Sequence, residues 1–95
     1  MTVAELRSHR VEISRIGAKY GIGHIRVFGS VARGEADSES DLDLLVDVGP
    51  GRGYFDLAGF ALEVEELLGV FTEVSTVEGI QARIRDRVLA EATCF

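Results

Sequence analysis

Residues 41–48, DLDLLVDV, constrain the fold more than any other stretch. They are the most apolar strand candidate in the chain and read as a central strand. Two further runs, HIRVF at 24–28 and VFTEVST at 70–76, have the β-branched and aromatic content of strands. Helical patterns lie around them. Thr2 and Glu5 have capping-box spacing, and Val3, Leu6, Ile13 and Ile16 fall roughly on one face, predicting a single first helix ended by Gly21 and Gly23. Leu57, Phe60, Ala61, Val64, Leu67 and Leu68 make 55–68 the best amphipathic helix, and Gly69 stops it. Ile80, Ile84 and Val88 mark a last helix over 78–92, with Arg83, Arg85 and Arg87 on its more polar sides. GSVARGE at 29–35 reads as a tight turn into a stub of helix. ADSES at 36–40 and GPGRG at 49–53 read as loops. The predicted order is α-β-(short α)-β-α-β-α, a small three-stranded sheet covered by helices in the α/β (α+β) class.

Ninety-five residues allow one domain, 1–95, with a core so small that a partner or oligomer can contribute to its stability. The 46% apolar content and mean hydropathy of +0.16 argue against disorder. Ten basic against sixteen acidic residues leave a net charge of −6. Such a balance disfavours tracking of nucleic-acid phosphates or an anionic membrane surface, but leaves room for one nucleotide held through a divalent cation. One cysteine, Cys94, excludes an intrachain disulfide and a Cys-rich zinc site. With no apolar run of membrane-spanning length and no signal-peptide pattern, a cytoplasmic protein is the expectation.

Two features carry chemistry. Asp41 and Asp43 stand two apart on a strand, so their side chains share a face, ~6.6 Å apart along it. Side by side they repel unless a cation lies between them, and Mg²⁺ favours one or two carboxylates with phosphate oxygens and water. On D-x-D alone, a pair of solvated acids at a loop–strand junction is the plainer reading. The preceding turn changes the balance. Gly29-Ser30 follows an apolar strand and opens a helix stub, where backbone N–H groups cradle anions. The Ser30 hydroxyl can donate to a phosphate, and Arg33 can reach the same anion. An anion cradle followed eleven residues later by an acid pair is what a nucleoside triphosphate with Mg²⁺ requires. Asp47 shares the face of Asp41 and Asp43 and reads as structural. His9 and His24 are isolated, and Arg52 lies in a plain connection. Glu63, Glu65 and Glu66 read as a solvated helix face.

The stretch Gly29-Ser-Val-Ala-Arg-Gly-Glu followed by Ser40-Asp-Leu-Asp-Leu-Leu-Val resembles the minimal nucleotidyltransferases of the polymerase β-like superfamily, whose signature is G-S, a spacer and D-x-D. The resemblance extends to Leu67-Leu68-Gly69 and to the tail 84–92. It implies a mixed sheet, Gly29, Ser30 and Arg33 as nucleotide-binding residues, and Asp41 and Asp43 as ligands of two Mg²⁺ ions. The reaction implied is transfer of AMP from ATP to a hydroxyl. The family also uses a third carboxylate, usually Asp, on the next strand. Alignment on Leu67-Leu68-Gly69 places Glu73 there, one methylene longer. The resemblance further implies an antitoxin that modifies a tyrosine of a HEPN-type ribonuclease toxin, because so short a chain carries no acceptor-binding domain. The competing reading is an antitoxin that binds its toxin stoichiometrically with little chemistry. Acidic character would suit a basic partner, and Glu73 is the departure that favours it.

Overall fold

The computed structural model describes residues 1–95. The expected alternation is present, with one helix more and one strand more. In chain order the elements are α1 (Val3–Ser8), α2 (Arg10–Tyr20), β1 (Ile22–Phe28), α3 (Gly29–Arg33), β2 (Leu42–Val48), α4 (Tyr54–Leu68), β3 (Thr72–Ser75), α5 (Ala82–Glu91) and β4 (Thr93–Cys94). The sheet order is β3-β2-β1-β4. β2 is parallel to β3, and β1 is antiparallel to both β2 and β4, so the sheet is mixed.

Two expectations need correction. The single first helix is two, separated at His9. The Ser8 hydroxyl donates to the Glu5 carbonyl at 2.5 Å, a local bond that competes with the helical ladder. Both halves still present a fully buried residue, Leu6 and Ile13, to one core. Thr2 does cap the start, accepting from the Glu5 N–H. The three-stranded sheet is four-stranded. β4 is two residues long, too short to show a period, and forms because α5 carries the tail back to the free edge of β1, against Arg26 and Val27.

β2 divides the interior. Leu42, Leu44 and Val46 point to one side and pack with Val27, Leu6, Ile13, Val31, Phe60 and Val64 under α1, α2 and α4. Leu45 points to the other and meets Ile80 and Val88 beneath α5, with Phe28 and Ile84 beside them. By the strand's two-residue period, Asp43 and Asp47 share the face of Leu45. Asp43 lies half-buried toward one end of that face and Asp47 exposed toward the other.

The acidic run on α4 is not a uniformly solvated face. Glu63 accepts from Lys19 Nζ at 2.9 Å and from the Tyr20 hydroxyl, fastening α4 to α2. The Tyr20 ring lies where a Cβ on Gly59 would be, so this glycine permits the close helix contact. Glu65 accepts from the Thr72 N–H at 3.1 Å, which pins the start of β3. Glu66 remains exposed. No helix is long and apolar enough to cross a membrane.

Candidate active site

The α3 turn and the starts of β2 and β3 meet at one edge of the sheet. β1 runs into α3 at Gly29, whose φ of +75° is the left-handed conformation that favours glycine. A Cβ there would collide with the Asp43 carboxylate. Gly29 is thus needed twice, for its backbone angle and for the space it leaves to Asp43. Ser30 follows as the second residue of α3 and is half-buried.

Asp41 stands one residue before β2 and is exposed, while Asp43 lies within β2 and is half-buried. The 36–40 loop that delivers them is closed by its own side chains. Asp37 Oδ1 accepts from the Glu39 N–H at 2.9 Å and the Ser40 hydroxyl at 3.1 Å. Across the parallel pair, Asp43 is the register partner of Glu73. The Glu65–Thr72 bond fixes the residue next to Glu73, so α4 indirectly sets the position of this carboxylate.

Three acids at one strand edge have an electrostatic consequence. The Asp43 carboxyl is pushed up from near 3.8 to about 6, first by burial, then by the charge of Glu73, then by that of Asp41, and by a hydrogen bond with Glu73. Arg33 opposes the shift only weakly. These are hard oxygen donors with uncompensated negative charge, the donor type that Mg²⁺ takes together with phosphate oxygens and water. No three His, Cys, Asp or Glu side chains are gathered so as to hold an ion by themselves.

Arg33 is at the edge, but its guanidinium is occupied. Nε faces both Glu35 oxygens, and Nη1 donates to Glu91 Oε1 at 2.8 Å. The same Glu91 oxygen accepts from the Gly29 N–H at 2.5 Å. Sequence reasoning does not single out Glu91. It lies 62 residues from Gly29, at the end of a helix whose pattern says nothing about what its last side chain meets.

The remaining candidates fall elsewhere. Asp47 accepts from Arg26 Nη2 at 2.9 Å and sits 3.1 Å from His24 Nδ1, tying β2 to β1. His24 has a φ of +47° at the irregularity in the β1–β2 register. Arg52 pairs with Asp56 at 3.1 Å and lies over Gly21, at the opposite end of β2 from the acids. His9 marks the α1–α2 junction.

Comparison with known proteins agrees with this geometry. Residues 7–93 match the nucleotidyltransferase domain family. The chain is 40% identical over 74 residues to the Methanocaldococcus jannaschii protein named "Putative protein adenylyltransferase MJ0435", covering 78% of this chain and 80% of that protein. It is 31% identical over 86 residues to "Protein adenylyltransferase MntA" of Thermococcus cleftensis, covering 90% of this chain and 84% of that one. Among solved structures, a "putative minimal nucleotidyltransferase" superposes with a TM-score of 0.86 at 43% identity, over 100% of this chain and 97% of the other. A chain of a toxin–antitoxin complex with AMP-PNP superposes with a TM-score of 0.71 over 85% of this chain and 67% of the other, and at 16% identity it shows the shared fold. The chain belongs to the nucleotidyltransferase domain family and is an enzyme of its minimal class.

Proposed function

We propose that this protein transfers AMP from ATP to a hydroxyl group of a partner protein, and that the modified partner is a toxin of the HEPN ribonuclease type, modified on tyrosine. The observation that carries the reading is the meeting of Gly29 with Asp43. It brings the phosphate-cradling turn against the acid pair, with Glu73 in register beside it. The names of the two relatives support AMP transfer to protein. The structural neighbour's toxin–antitoxin complex supports the partner class.

In this reading the Gly29 N–H, the Ser30 hydroxyl and Arg33 hold the triphosphate tail. Asp41, Asp43 and Glu73 would hold Mg²⁺, with phosphate oxygens completing its shell. Bound there, Mg²⁺ would neutralise charge on the attacking and leaving oxygens of an in-line displacement. The acceptor oxygen bonds to the α-phosphorus, and the bond from that phosphorus to the α,β-bridging oxygen breaks. Pyrophosphate leaves. The hydroxyl proton would pass to a carboxylate, and we assign that role to Glu73, the more exposed member of the Asp43–Glu73 pair. Exposure of Asp41, Glu73 and Phe71 leaves this edge open to a protein surface carrying the acceptor.

The test is transfer of label from α-labelled ATP to the protein encoded beside this gene, with the D41N/D43N double variant as control. Label that requires the wild-type acids is the expected result. A stable complex that never acquires label would instead establish the stoichiometric binder and remove the catalytic assignment.

A further inference from the structure

The phosphate-cradling turn already has an anion in it. Glu91 Oε1 takes a hydrogen bond from the Gly29 N–H at 2.5 Å and another from Arg33 Nη1 at 2.8 Å. These are two of the three donors assigned above to the triphosphate tail. The Glu91 side chain is 19% exposed, so the contact is largely shielded. A carboxylate oxygen and a phosphate oxygen present the same acceptor chemistry to an N–H and a guanidinium. One site cannot serve both, because two anionic oxygens at these distances would overlap and repel.

We infer that Glu91 is an internal competitor for the nucleotide: its carboxylate fills the Gly29–Arg33 cradle in the free protein and is displaced by a phosphate group on binding. The inference rests on the reading that this turn takes the triphosphate. Every nucleotide-binding event then includes the cost of breaking two charge-assisted bonds, which lowers apparent affinity. Glu91 is well placed to move. It is the last residue of α5; beyond it Phe95 packs against the main core, and the two-residue strand β4 between them has Thr93 and Cys94 both exposed. Short, exposed elements of this kind open at low free-energy cost. Glu91 also neutralises Arg33 in the free protein. Its withdrawal would free the Nη1 donor as an anion approaches, while Nε stays paired with Glu35.

The experiment is binding of three probes, AMP-PNP with Mg²⁺, inorganic tripolyphosphate and adenosine, to wild type and to Glu91→Gln, by titration calorimetry. Glutamine keeps the side-chain length and an acceptor oxygen, so the fold is retained while the charge is removed. The expected result is about five- to tenfold tighter binding of both phosphate probes, with adenosine unchanged. Glu91→Ala, which removes the acceptor as well, should tighten phosphate binding at least as much. Equal or weaker phosphate binding in Glu91→Gln overturns the inference while leaving the nucleotidyltransferase assignment untouched. Equal tightening of adenosine also overturns it, because competition for a phosphate site cannot act on a ligand without phosphate. Failure of both proteins to bind either phosphate probe overturns the inference together with the placement of the triphosphate at this turn.

Discussion

Asp43 and Asp47 are the same residue type on the same face of the same strand, four positions apart, and the fold gives them opposite roles. At the far end of β2, Asp47 meets Arg26 and His24. Its charge is balanced, and it links two strands. At the near end, Asp43 meets Glu73 and Asp41, with Arg33 drawn off toward Glu35 and Glu91. Its charge is unbalanced and its carboxyl is pushed up to about 6. Unrelieved like charge is a standing cost to the fold, and it is retained where a cation and a substrate can relieve it. The neighbours, not the residue type, separate an acid that holds the sheet together from one left with unbalanced charge.

The comparison breaks most directly on activity. D43N should lower label transfer on the order of 10³-fold, whereas D47N should stay within about threefold of wild type, since Asp47 contacts Arg26 and His24 at the far end of β2. Equal losses in the two variants would mean that the near end is not the catalytic one.

The next effect concerns the glycine that lets Asp43 sit where it does. Gly29 and Gly34 have nearly the same φ, +75° and +74°. Only at Gly29 would a Cβ meet Asp43; at Gly34 it meets nothing within 4 Å. G29A and G34A should each lose about 1 kcal/mol of stability from the left-handed backbone angle. G29A should in addition lose on the order of 10²-fold in transfer by displacing the carboxylate. Denaturant melts set beside transfer rates separate the two effects. A G34A variant as inactive as G29A would remove the steric argument.

Stability sharpens the same contrast. D47N should cost about 1 kcal/mol in urea unfolding, because it leaves the Arg26 guanidinium, whose side chain is 10% exposed, with a weaker partner.

The smallest effect runs the other way and depends on pH. A carboxyl raised from near 3.8 to about 6 binds its proton more tightly in the fold than in the unfolded chain. The stabilisation by protonated Asp43 is therefore complete below about 3.8 and is lost as pH rises through about 6. D43N, which cannot ionise, should melt higher than wild type at pH 8 in the presence of EDTA, by about 3 °C given the solvent screening of a half-buried group. The gain should fade as pH falls from 6 toward 4. A gain that is constant across this range would assign it to packing instead of charge.

Much of this site is legible in the chain. The two-residue period predicts Asp41 and Asp43 on one face, and Gly-Ser after an apolar strand reads as an anion-binding turn. These are local rules, and they need no tertiary information. Although β2 starts only at Leu42, Asp41 stays near enough to raise the Asp43 carboxyl. Glu73 is singled out by the resemblance to the minimal nucleotidyltransferases, through alignment on Leu67-Leu68-Gly69. The split first helix and β4 are less accessible. One depends on a single Ser8 hydroxyl bonding backward, and the other on where α5 delivers two residues.

The sequence by itself therefore determined the order of elements, the central strand, the shared face of the acids and the family to which the chain belongs, because periodicity and motif spacing are properties of neighbours along the chain. Only the tertiary structure decided that Asp47 is neutralised and Asp43 is not, that Gly29 must lack a Cβ to clear Asp43, and that Glu91 rests in the cradle. Each of these joins residues from 14 positions apart, as with Gly29 and Asp43, to 62, as with Gly29 and Glu91. Electrostatic and steric effects act through space and fall off with distance, so they follow the packing of helices on the sheet instead of the spacing along the chain.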